Sequence, residues 1–326
     1  MGAGQDTVVI AVRTFNRPEA LRRTIAGVLA QTHQDWILSI FNNGGERGPV
    51  EAVVAEFADQ LEGRLQLNGS DGPLHVSEAV RHAAAAAEGE FVAVHDDDDD
   101  WEPEFLAKTV AALKSRPGDV AVATRATVVT ETRGADGVWV ESSRDEDAYS
   151  WLTAITLESA VLRCPVPPIC LLVRRDAWDA VGGHTLEDGY AGDWHTLLLL
   201  LARGPIAVLR ENLAFYYRRD DAGGEAMNLS RNGGRLYSDA VMRENLLRSA
   251  SRDGELNVAA AVGSISALDR ENHKNMVALL DHLWTIRTDV AHIRERLAHL
   301  EDRVDRLDPT GRRFWAEQTG RLKRNG

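Results

Sequence analysis

The sequence predicts an α/β protein built on a mostly parallel, doubly wound sheet, with a helical extension at its C-terminal end. Short apolar runs rich in β-branched residues alternate with amphipathic helical patterns over roughly the first two thirds of the chain. From Met276 onward, apolar residues recur at alternating spacings of three and four, which is the heptad pattern of a coiled coil. We therefore predict an α/β domain over residues 1–235, a helical connector over 236–275 and a coiled-coil segment over 276–326.

Each predicted strand is a short apolar run, and each of the first four is followed by a helical pattern. The strands are expected at residues 8–12, 36–41, 64–67, 91–94, 120–129, 171–174 and 206–209. The helices are expected around 21–29 and at 50–61, 77–88, 105–113 and 193–202. Residues 131–168 are expected to be irregular, and 218–235 to form a mobile loop. Because this alternation gives a doubly wound sheet, a ligand is expected beyond the carboxyl ends of the strands.

The composition limits the classes of function. The 326 residues carry a formal net charge of -13, which argues against a nucleic-acid partner because phosphate backbones require a basic surface. A small phosphate-bearing ligand is compatible with this charge, since a bound cation reverses the local field. The two cysteines, Cys164 and Cys170, have no further ligands for a zinc site and are expected to be free thiols. With no signal-peptide pattern and no apolar run of transmembrane length, we expect a cytoplasmic location.

The sharpest feature is a run of five consecutive aspartates, residues 96–100, directly after the predicted strand 91–94 and His95. Adjacent like charges repel, and successive side chains of an extended chain point in opposite directions, so only two or three carboxylates can converge on one point. A cation would make that convergence tolerable, and oxygen ligands of this kind suit Mg²⁺ or Mn²⁺ bound together with substrate phosphates. A solvated acidic turn is the alternative. The position of the run at the carboxyl end of a strand favours the metal site.

Three segments together give the chain a family resemblance. They are residues 8–22 with 28–36, residues 87–91 with the aspartate run and the Trp-Glu-Pro after it, and residues 181–184 with 192–197 and 215–218. In this order and spacing, over about residues 7–220, the chain resembles the family-2 glycosyltransferases of the GT-A fold. The resemblance implies a Rossmann-like, doubly wound mixed sheet. It also implies metal-dependent transfer of a sugar from a nucleotide-sugar donor, with inversion at the anomeric carbon.

The Trp-Glu-Pro after the run fixes its register and places the family's Asp-X-Asp element on Asp96 and Asp98. The resemblance implies that Asp98 contacts Mn²⁺ or Mg²⁺ directly, and that Asp96 faces the ribose or the water shell of the metal. Asp97 and Asp99 are open alternatives for these roles. The metal would stabilise the charge that builds on the departing diphosphate.

Two further acidic residues receive roles from the same resemblance. Asp193 is implied to be the general base, which accepts the proton of the acceptor hydroxyl on the face opposite the leaving group. The same residue fits the N-cap of the helix that follows, and the two roles are compatible. Asp220 falls where some relatives carry a histidine that faces the metal, so it is a further candidate ligand.

The nucleotide side is expected at the ends of the first two strands and on the helix before the aspartate run. By resemblance, Thr14 and Phe15 line the base, and we place Arg17 with them as a donor-binding residue. Asn43 stands where the family commonly has an aspartate that reads uracil, and an amide both donates and accepts where a carboxylate only accepts. Arg81 stands where the family often has asparagine. It is either a ligand of the phosphate or base, or a solvated helix residue.

The function expected from these motifs is that of an inverting, metal-dependent glycosyltransferase with a UDP- or dTDP-linked donor. The acceptor would be a hydroxyl of a glycan, a peptide or a natural product. A sugar nucleotidyltransferase is one alternative, although the first strand lacks the glycine-rich loop that such enzymes need. A nucleotide-binding oligomeric protein without transfer activity is the other.

The heptad pattern over residues 276–307 predicts a parallel homodimer. An amphipathic helix that packs on its own domain is the alternative. In a parallel pair, each residue before an a position faces a residue of the partner five positions further along the chain. Three such pairs have opposite charges: Asp289 with Arg294, Arg296 with Glu301, and Arg303 with Asp308 of the partner subunit.

Overall fold

The computed structural model describes residues 6–134, 138–184 and 192–219, together with 276, 277, 279, 282–300 and 303. The chain divides into two compact units, Met1–Gly263 and Ser264–Gly326. The described strands all lie in the first unit, and the described part of the second unit is helical. Asp220, the predicted connector 236–275 and residues 220–235 of the expected loop lie outside the described residues, whereas Arg218 and Arg219, expected in that loop, belong to a strand.

The first unit alternates strands and helices from its first described residues. Its strands are β1 (Val8–Thr14), β2 (Trp36–Asn43), β3 (Leu65–Ser70), β4 (Phe91–Asp96), β5 (Asp100–Trp101), β6 (Ala121–Arg133), β7 (Trp139–Asp145), β8 (Leu171–Arg174) and β9 (Ile206–Arg219). Its helices are α1 (Pro18–Leu29), α2 (Arg47–Glu56), α3 (Ala58–Leu61), α4 (Val76–Ala85), α5 (Phe105–Ser115), α6 (Leu157–Leu162), α7 (Arg175–Ala180) and α8 (Gly192–Arg203). This is the α/β class that the sequence predicts.

The strands form one mixed sheet in the order β3-β2-β1-β4-β8-β6-β9-β5, with β7 paired to the outer part of β6. β1 to β4 run parallel to one another, whereas β8 is antiparallel to both β4 and β6. The carboxyl ends of β1, β2 and β4 therefore meet at one edge, with Arg13 beside Asp96 and Thr14 beside Asn42. The first residue of the aspartate run lies at this edge.

The centre of the sheet is apolar on both faces because helices cover it. Val8 through Val12 of β1 are fully buried, as expected of a parallel strand between two helical layers. α1 begins with Pro18, whose fixed backbone angle suits the first helical turn, and it buries Leu21, Ile25 and Val28 against the sheet. This packing brings the turn between β1 and α1 close to the aspartate run.

Several elements differ in extent from the sequence expectation. The helix expected at 50–61 is interrupted at Phe57 and forms α2 and α3. Strand β9 continues ten residues beyond the expected end at 209, because its pairing with β6 resumes after a bulge. Leu209 pairs with Thr124 and Asn212 with Arg125, so Arg210 and Glu211 lie in the bulge. Two adjacent charged residues at a bulge hide the continuation of a strand from an apolar pattern.

The expectation of irregular structure over 131–168 is wrong, because this stretch contains the end of β6, all of β7 and helix α6. β7 is almost wholly exposed and polar, so it lacks the alternation that signals a half-buried strand. α6 has only six residues and starts with a capping box, in which Thr156 and Ser159 exchange side-chain and backbone hydrogen bonds. Short polar elements of this kind carry little periodic signal.

The described residues between 276 and 303 are helical. Their apolar heptad residues are 41–58% exposed, from Val290 at the low end to Met276 at the high end. Among the helices that the structure describes, none combines the length and the hydropathy that crossing a bilayer requires.

Candidate active site

The aspartate run separates its five carboxylates by turning sharply after β4. Asp96 ends β4, and its carbonyl accepts the backbone N–H of Asp99 at 3.2 Å, after which β5 starts at Asp100. The five side chains consequently enter different surroundings, which relieves the repulsion expected of adjacent like charges. The structure thereby assigns them different chemistry, although they are identical in sequence.

Asp97 is buried and faces the end of β1. Its Oδ2 accepts the hydroxyl of Thr14 at 2.8 Å, and its Oδ1 accepts Nη1 of Arg17 at 3.0 Å. Burial raises the pKa of Asp97, while the positive charge of Arg17 opposes that rise. Asp97 therefore connects the Thr14 and Arg17 side chains, both predicted donor-binding residues, to residues 96–100. We call these residues the metal loop because they include the predicted metal ligands.

Asp98 is the more exposed neighbour, with 19% of its side chain accessible. Its Oδ2 accepts the same Nη1 of Arg17 at 3.0 Å, and Nη1 of Arg219 lies 3.7 Å from that oxygen. Its backbone carbonyl accepts Nη2 of Arg23 at 2.6 Å. The loop that carries the predicted metal ligand is thus held by three arginines, one each from the turn before α1, from α1 and from β9.

The last two aspartates of the run accept backbone hydrogen bonds that hold the loop in place. Asp99 is buried and its Oδ1 accepts the backbone N–H of Tyr217 on β9 at 2.9 Å, while burial raises its pKa well above the usual range. Oδ1 of Asp100 accepts the N–H of Trp101 at 2.8 Å. Asp100 also lies so close to α1 that a Cβ built on Gly27 would come within 2.1 Å of its Oδ1. Both side chains fix the turn rather than face open space.

Behind Asp98, Glu131 on β6 joins two of the arginines. It accepts Nη1 of Arg23 at 2.9 Å and Nε of Arg219 at 3.0 Å. The guanidinium of Arg23 also lies over the ring of Tyr217, with 3.9 Å between its central carbon and the ring centroid. Sequence reasoning missed this network, because Arg23, Glu131 and Arg219 are distant in sequence and belong to no recognisable motif.

Asp96, the last residue of β4, lies beside Arg13 at the sheet edge. Nη2 of Arg13 lies 3.7 Å from Oδ1 of Asp96, and Nε of Arg13 is buried with no hydrogen-bond partner in the described chain. Partial burial raises the pKa of Asp96 to about 6, Arg13 opposes the rise, and the charges of Asp98, Asp97 and Asp193 add to it. The charge of Asp193 acts on Asp96, so the candidate base lies near the metal loop.

Asp193 is in the first turn of α8, and its Oδ1 accepts the N–H of Trp194 at 2.8 Å. The positive end of the helix dipole stabilises a carboxylate at this position. His184 is nearby and buried, and its burial lowers its pKa to about 4 against the opposing charge of Asp193. His184 is therefore neutral at physiological pH, and with Asp193 it borders a small cavity.

That cavity lies between the sheet and α8 and is mostly apolar. Its walls include Val94, Leu171 and Trp178, with Asp193, His184 and Thr196 as the polar part of the lining. The carboxylate of Asp193 thus lies beside mostly apolar walls. The arrangement suits a group that accepts a proton from a bound hydroxyl.

The remaining predicted donor-binding residues lie around the ends of β1 and β2. Phe15 is half-buried immediately after β1. Asn43 is buried, and its amide both donates to the carbonyl of Leu74 at 3.1 Å and accepts the N–H of Leu74 at 2.9 Å. Arg81 is exposed on α4, and its Cγ lies 3.1 Å from a Cβ built on Gly183. The amide of Asn43 thus closes the loop after β3.

The described residues fit the way in which Mg²⁺ and Mn²⁺ bind beside nucleotides. No three His, Cys, Asp or Glu side chains of the described chain converge on one metal position. Such a cage is not required, because these ions are typically held by one or two carboxylates, waters and substrate phosphates. Asp98 and Asp96, which are 19% and 29% exposed, are the carboxylates of the run available for this role.

Comparison with known proteins agrees with this fold. Residues 9–162 match the sequence profile named Glycosyl transferase family 2. A protein of Nostoc sp. that is named an uncharacterized glycosyltransferase is 26% identical over 214 residues. The matched region is 64% of this chain and 64% of that relative, so the chain spans slightly less than two thirds of the relative's length.

Two solved structures share the architecture. S. aureus TarS 1–349 in complex with UDP-GlcNAc aligns with a TM-score of 0.53 and 16% identity, covering 75% of this chain and 72% of that one. The mannosyltransferase PcManGT from Pyrobaculum calidifontis, in complex with GDP-Man and Mn²⁺, aligns with a TM-score of 0.54 and 15% identity, covering 81% and 75%. Residues 9–162, slightly less than half of the chain, thus resemble glycosyl transferase family 2, and the fold is that of the GT-A glycosyltransferases.

Proposed function

We propose that this protein is a metal-dependent, inverting glycosyltransferase that moves a sugar from a nucleoside-diphosphate donor to a hydroxyl group. The observation that carries the proposal is the approach of two acidic groups from separate elements. Asp98 and Asp96 lie at the end of β4, and Asp193, at the start of α8, lines the same small cavity as Val94 of β4. A donor held by the first pair would present its anomeric carbon toward the third residue.

In the proposed reaction, Asp193 accepts the proton of the acceptor hydroxyl while the oxygen attacks the anomeric carbon. The bond from that carbon to the diphosphate oxygen breaks, and the nucleoside diphosphate leaves with the electron pair. Attack opposite the leaving group inverts the configuration and needs no covalent intermediate. Asp98, with Asp96, would hold a divalent cation, which supplies charge neutralisation for the departing diphosphate.

The identity of the base is part of the proposal, and UDP or dTDP is our first choice. The amide of Asn43 is engaged with the backbone of Leu74, so base recognition through this residue would require that contact to be shared or exchanged. The two structural neighbours carry UDP-GlcNAc and GDP-Man, which makes both base classes worth testing. A glycan, peptide or natural product remains the proposed acceptor class.

The proposal is tested with the full chain and a panel of UDP-, dTDP- and GDP-linked sugars, with Mn²⁺ and with EDTA. Release of a nucleoside diphosphate that requires Mn²⁺ and falls in Asp193→Asn supports the function. Formation of a nucleotide sugar from a nucleoside triphosphate and a sugar phosphate would instead indicate a nucleotidyltransferase. Tight donor binding without release across a broad acceptor panel would favour a binding protein.

We also propose that the C-terminal helix forms a parallel homodimer. The described heptad residues are about half exposed, so a second copy of the same stripe would cover them. Charge favours the parallel orientation. In an antiparallel pair with the same apolar layers, Arg287 would face Arg294 of the partner subunit, whereas in the parallel pair Asp289 faces it.

Sedimentation of the full chain against a form that lacks residues 276–326 tests this assembly. The full chain should sediment as a dimer and the shortened form as a monomer. Asp289→Arg, which places like charges across the proposed seam, should weaken the dimer. The same oligomeric state for all three forms would refute the proposed dimer. The cytoplasmic location expected from the sequence stays a prediction, which fractionation of the producing cells tests.

A further inference from the structure

Arg17 occupies an unusual position between two carboxylates of the metal loop. A single nitrogen, Nη1, lies 3.0 Å from Oδ1 of Asp97 and 3.0 Å from Oδ2 of Asp98. Only 18% of the side chain is exposed, so the contact is shielded from competing water. A positive group is therefore already in place at one oxygen of Asp98, the residue to which the proposed function assigns a divalent cation.

The two contacts of Arg17 differ in what else holds each carboxylate. Asp97 is buried and also accepts the hydroxyl of Thr14, so its position is fixed independently of Arg17. Asp98 is more exposed, and among the described residues the other cation within 4 Å of its carboxylate is Arg219, at 3.7 Å. The guanidinium can thus leave Asp98 without leaving Asp97.

The backbone around Arg17 limits what can move. Pro18 starts α1, and the carbonyl of Arg17 accepts the N–H of Leu21 at 3.0 Å, which anchors the main chain. Any rearrangement is then confined to the side chain. A guanidinium that rotates away from a carboxylate retains its planar set of donors, whose geometry matches the oxygens of a phosphate.

We propose that Arg17 is the resident cation of the unliganded site: it neutralises Asp98 until a divalent metal and the donor arrive, and then transfers its contact to the donor diphosphate. The inference rests on the proposed metal-dependent function. It explains how the neighbouring carboxylates of Asp97 and Asp98 are tolerated before the metal binds. It also means that metal alone must compete with Arg17 for Asp98, whereas metal together with donor gives Arg17 a new anionic partner.

If Arg17 first competes with the metal for Asp98 and then binds the diphosphate, one substitution should change the affinities for metal and for nucleotide in opposite directions. Arg17→Met should bind Mn²⁺ alone about tenfold more tightly than wild type, because one charge-assisted contact to Asp98 is removed. The same variant should bind a nucleoside diphosphate about tenfold more weakly in saturating Mn²⁺, because the diphosphate loses its guanidinium partner. A purely structural role would weaken both.

The experiment uses the full chain and two further variants. Arg17→Lys keeps the charge but loses the planar fork, so it should bind Mn²⁺ like wild type and the nucleotide more weakly. Arg22→Met is the matched control, since Arg22 lies five residues after Arg17, in α1, and pairs with the exposed Glu19 and Glu56. Electron paramagnetic resonance gives the affinity for free Mn²⁺, and calorimetry gives that for UDP, dTDP and GDP.

Equal or weaker binding of Mn²⁺ alone by Arg17→Met would overturn the proposal while leaving the glycosyltransferase function intact. Absence of Mn²⁺ binding by wild type, even with every nucleotide, would instead remove the metal-dependent function on which it rests. If Arg17→Met does not fold, the side-chain nitrogen resonances of arginine-labelled wild type decide. The Arg17 signal, assigned by its absence in Arg17→Lys, should shift on adding Mg²⁺ alone, and an unmoved signal would refute the transfer.

Discussion

Replacing Glu131 by alanine removes the carboxylate that two arginines share behind the metal loop. The Glu131 side chain is 8% exposed and accepts Nη1 of Arg23 at 2.9 Å and Nε of Arg219 at 3.0 Å. Without it, the buried guanidinium of Arg219 keeps only the 3.7 Å approach to Asp98 among its described carboxylate contacts. Removal of one partner from a buried ion pair typically destabilises a protein by about 3–5 kcal/mol.

Arg23 is less buried than Arg219, with 27% of its side chain exposed, and it retains its bond to the carbonyl of Asp98. We therefore place the expected loss for Glu131→Ala near the lower end, at about 3 kcal/mol. Glu131→Gln preserves the shape of the side chain and one acceptor oxygen, so its free energy of unfolding should fall by about 1–3 kcal/mol. Urea unfolding followed by tryptophan fluorescence measures both values.

Glu141 provides the matched control because it lies opposite Glu131 in the pairing of β6 and β7. Its carboxylate is 44% exposed and pairs with Arg144 on the surface, so Glu141→Ala should unfold like wild type. A loss below about 1 kcal/mol for Glu131→Ala would refute the reasoning, because the two arginines would then be satisfied by water or by each other's partners. A loss of similar size in both variants would show that burial does not decide the effect.

Three further predictions concern the site. Asp98→Ala should abolish Mn²⁺-dependent binding of the nucleoside diphosphate measured by calorimetry, and undiminished binding would remove Asp98 from the metal site. Asp193→Asn should retain donor binding but lower turnover by about two to four powers of ten, and full turnover would show that Asp193 is not the base. The pKa of His184 is about 4 when folded and about 6.5 when unfolded, so the unfolded chain binds the proton first and stability falls as pH drops between these values. His184→Phe, which keeps a ring against Trp178, should make that fall shallower by up to about 3 kcal/mol in urea titrations at pH 6.5 and pH 4, and an unchanged slope would contradict the assignment.

Patterns of apolar residues were enough to predict the sheet and most of its helices. Strands such as β1 and β4 are buried on both faces, so their sequence shows the run directly. β7 could not be predicted because its stability comes from pairing along the outer part of β6, with hardly any buried side chain of its own. The far half of β9 was missed for a related reason, since a bulge with two charged residues separates it from the apolar half.

The candidate site, too, could be predicted only in part from the sequence. The aspartate run can be recognised from the sequence because it follows a predicted strand, and Asp193 because it precedes a predicted helix. The division of labour among the five aspartates depends on what each faces across the fold, such as Thr14 for Asp97 and Tyr217 for Asp99. The arginine network around Glu131 joins residues more than 80 positions apart, so only the folded sheet brings it together.

Because Gly27 of α1 lies so close to Asp100, a change in the packing of α1 at this point would act on the metal loop. Any side chain at position 27 would press on the carboxylate of Asp100, which accepts the N–H of Trp101. Graded replacements there, from alanine to valine, would displace the loop by increasing steps without altering a single charged group. Position 27 is thus a place where the activity proposed for this protein should respond to packing alone, for instance by becoming sensitive to heat.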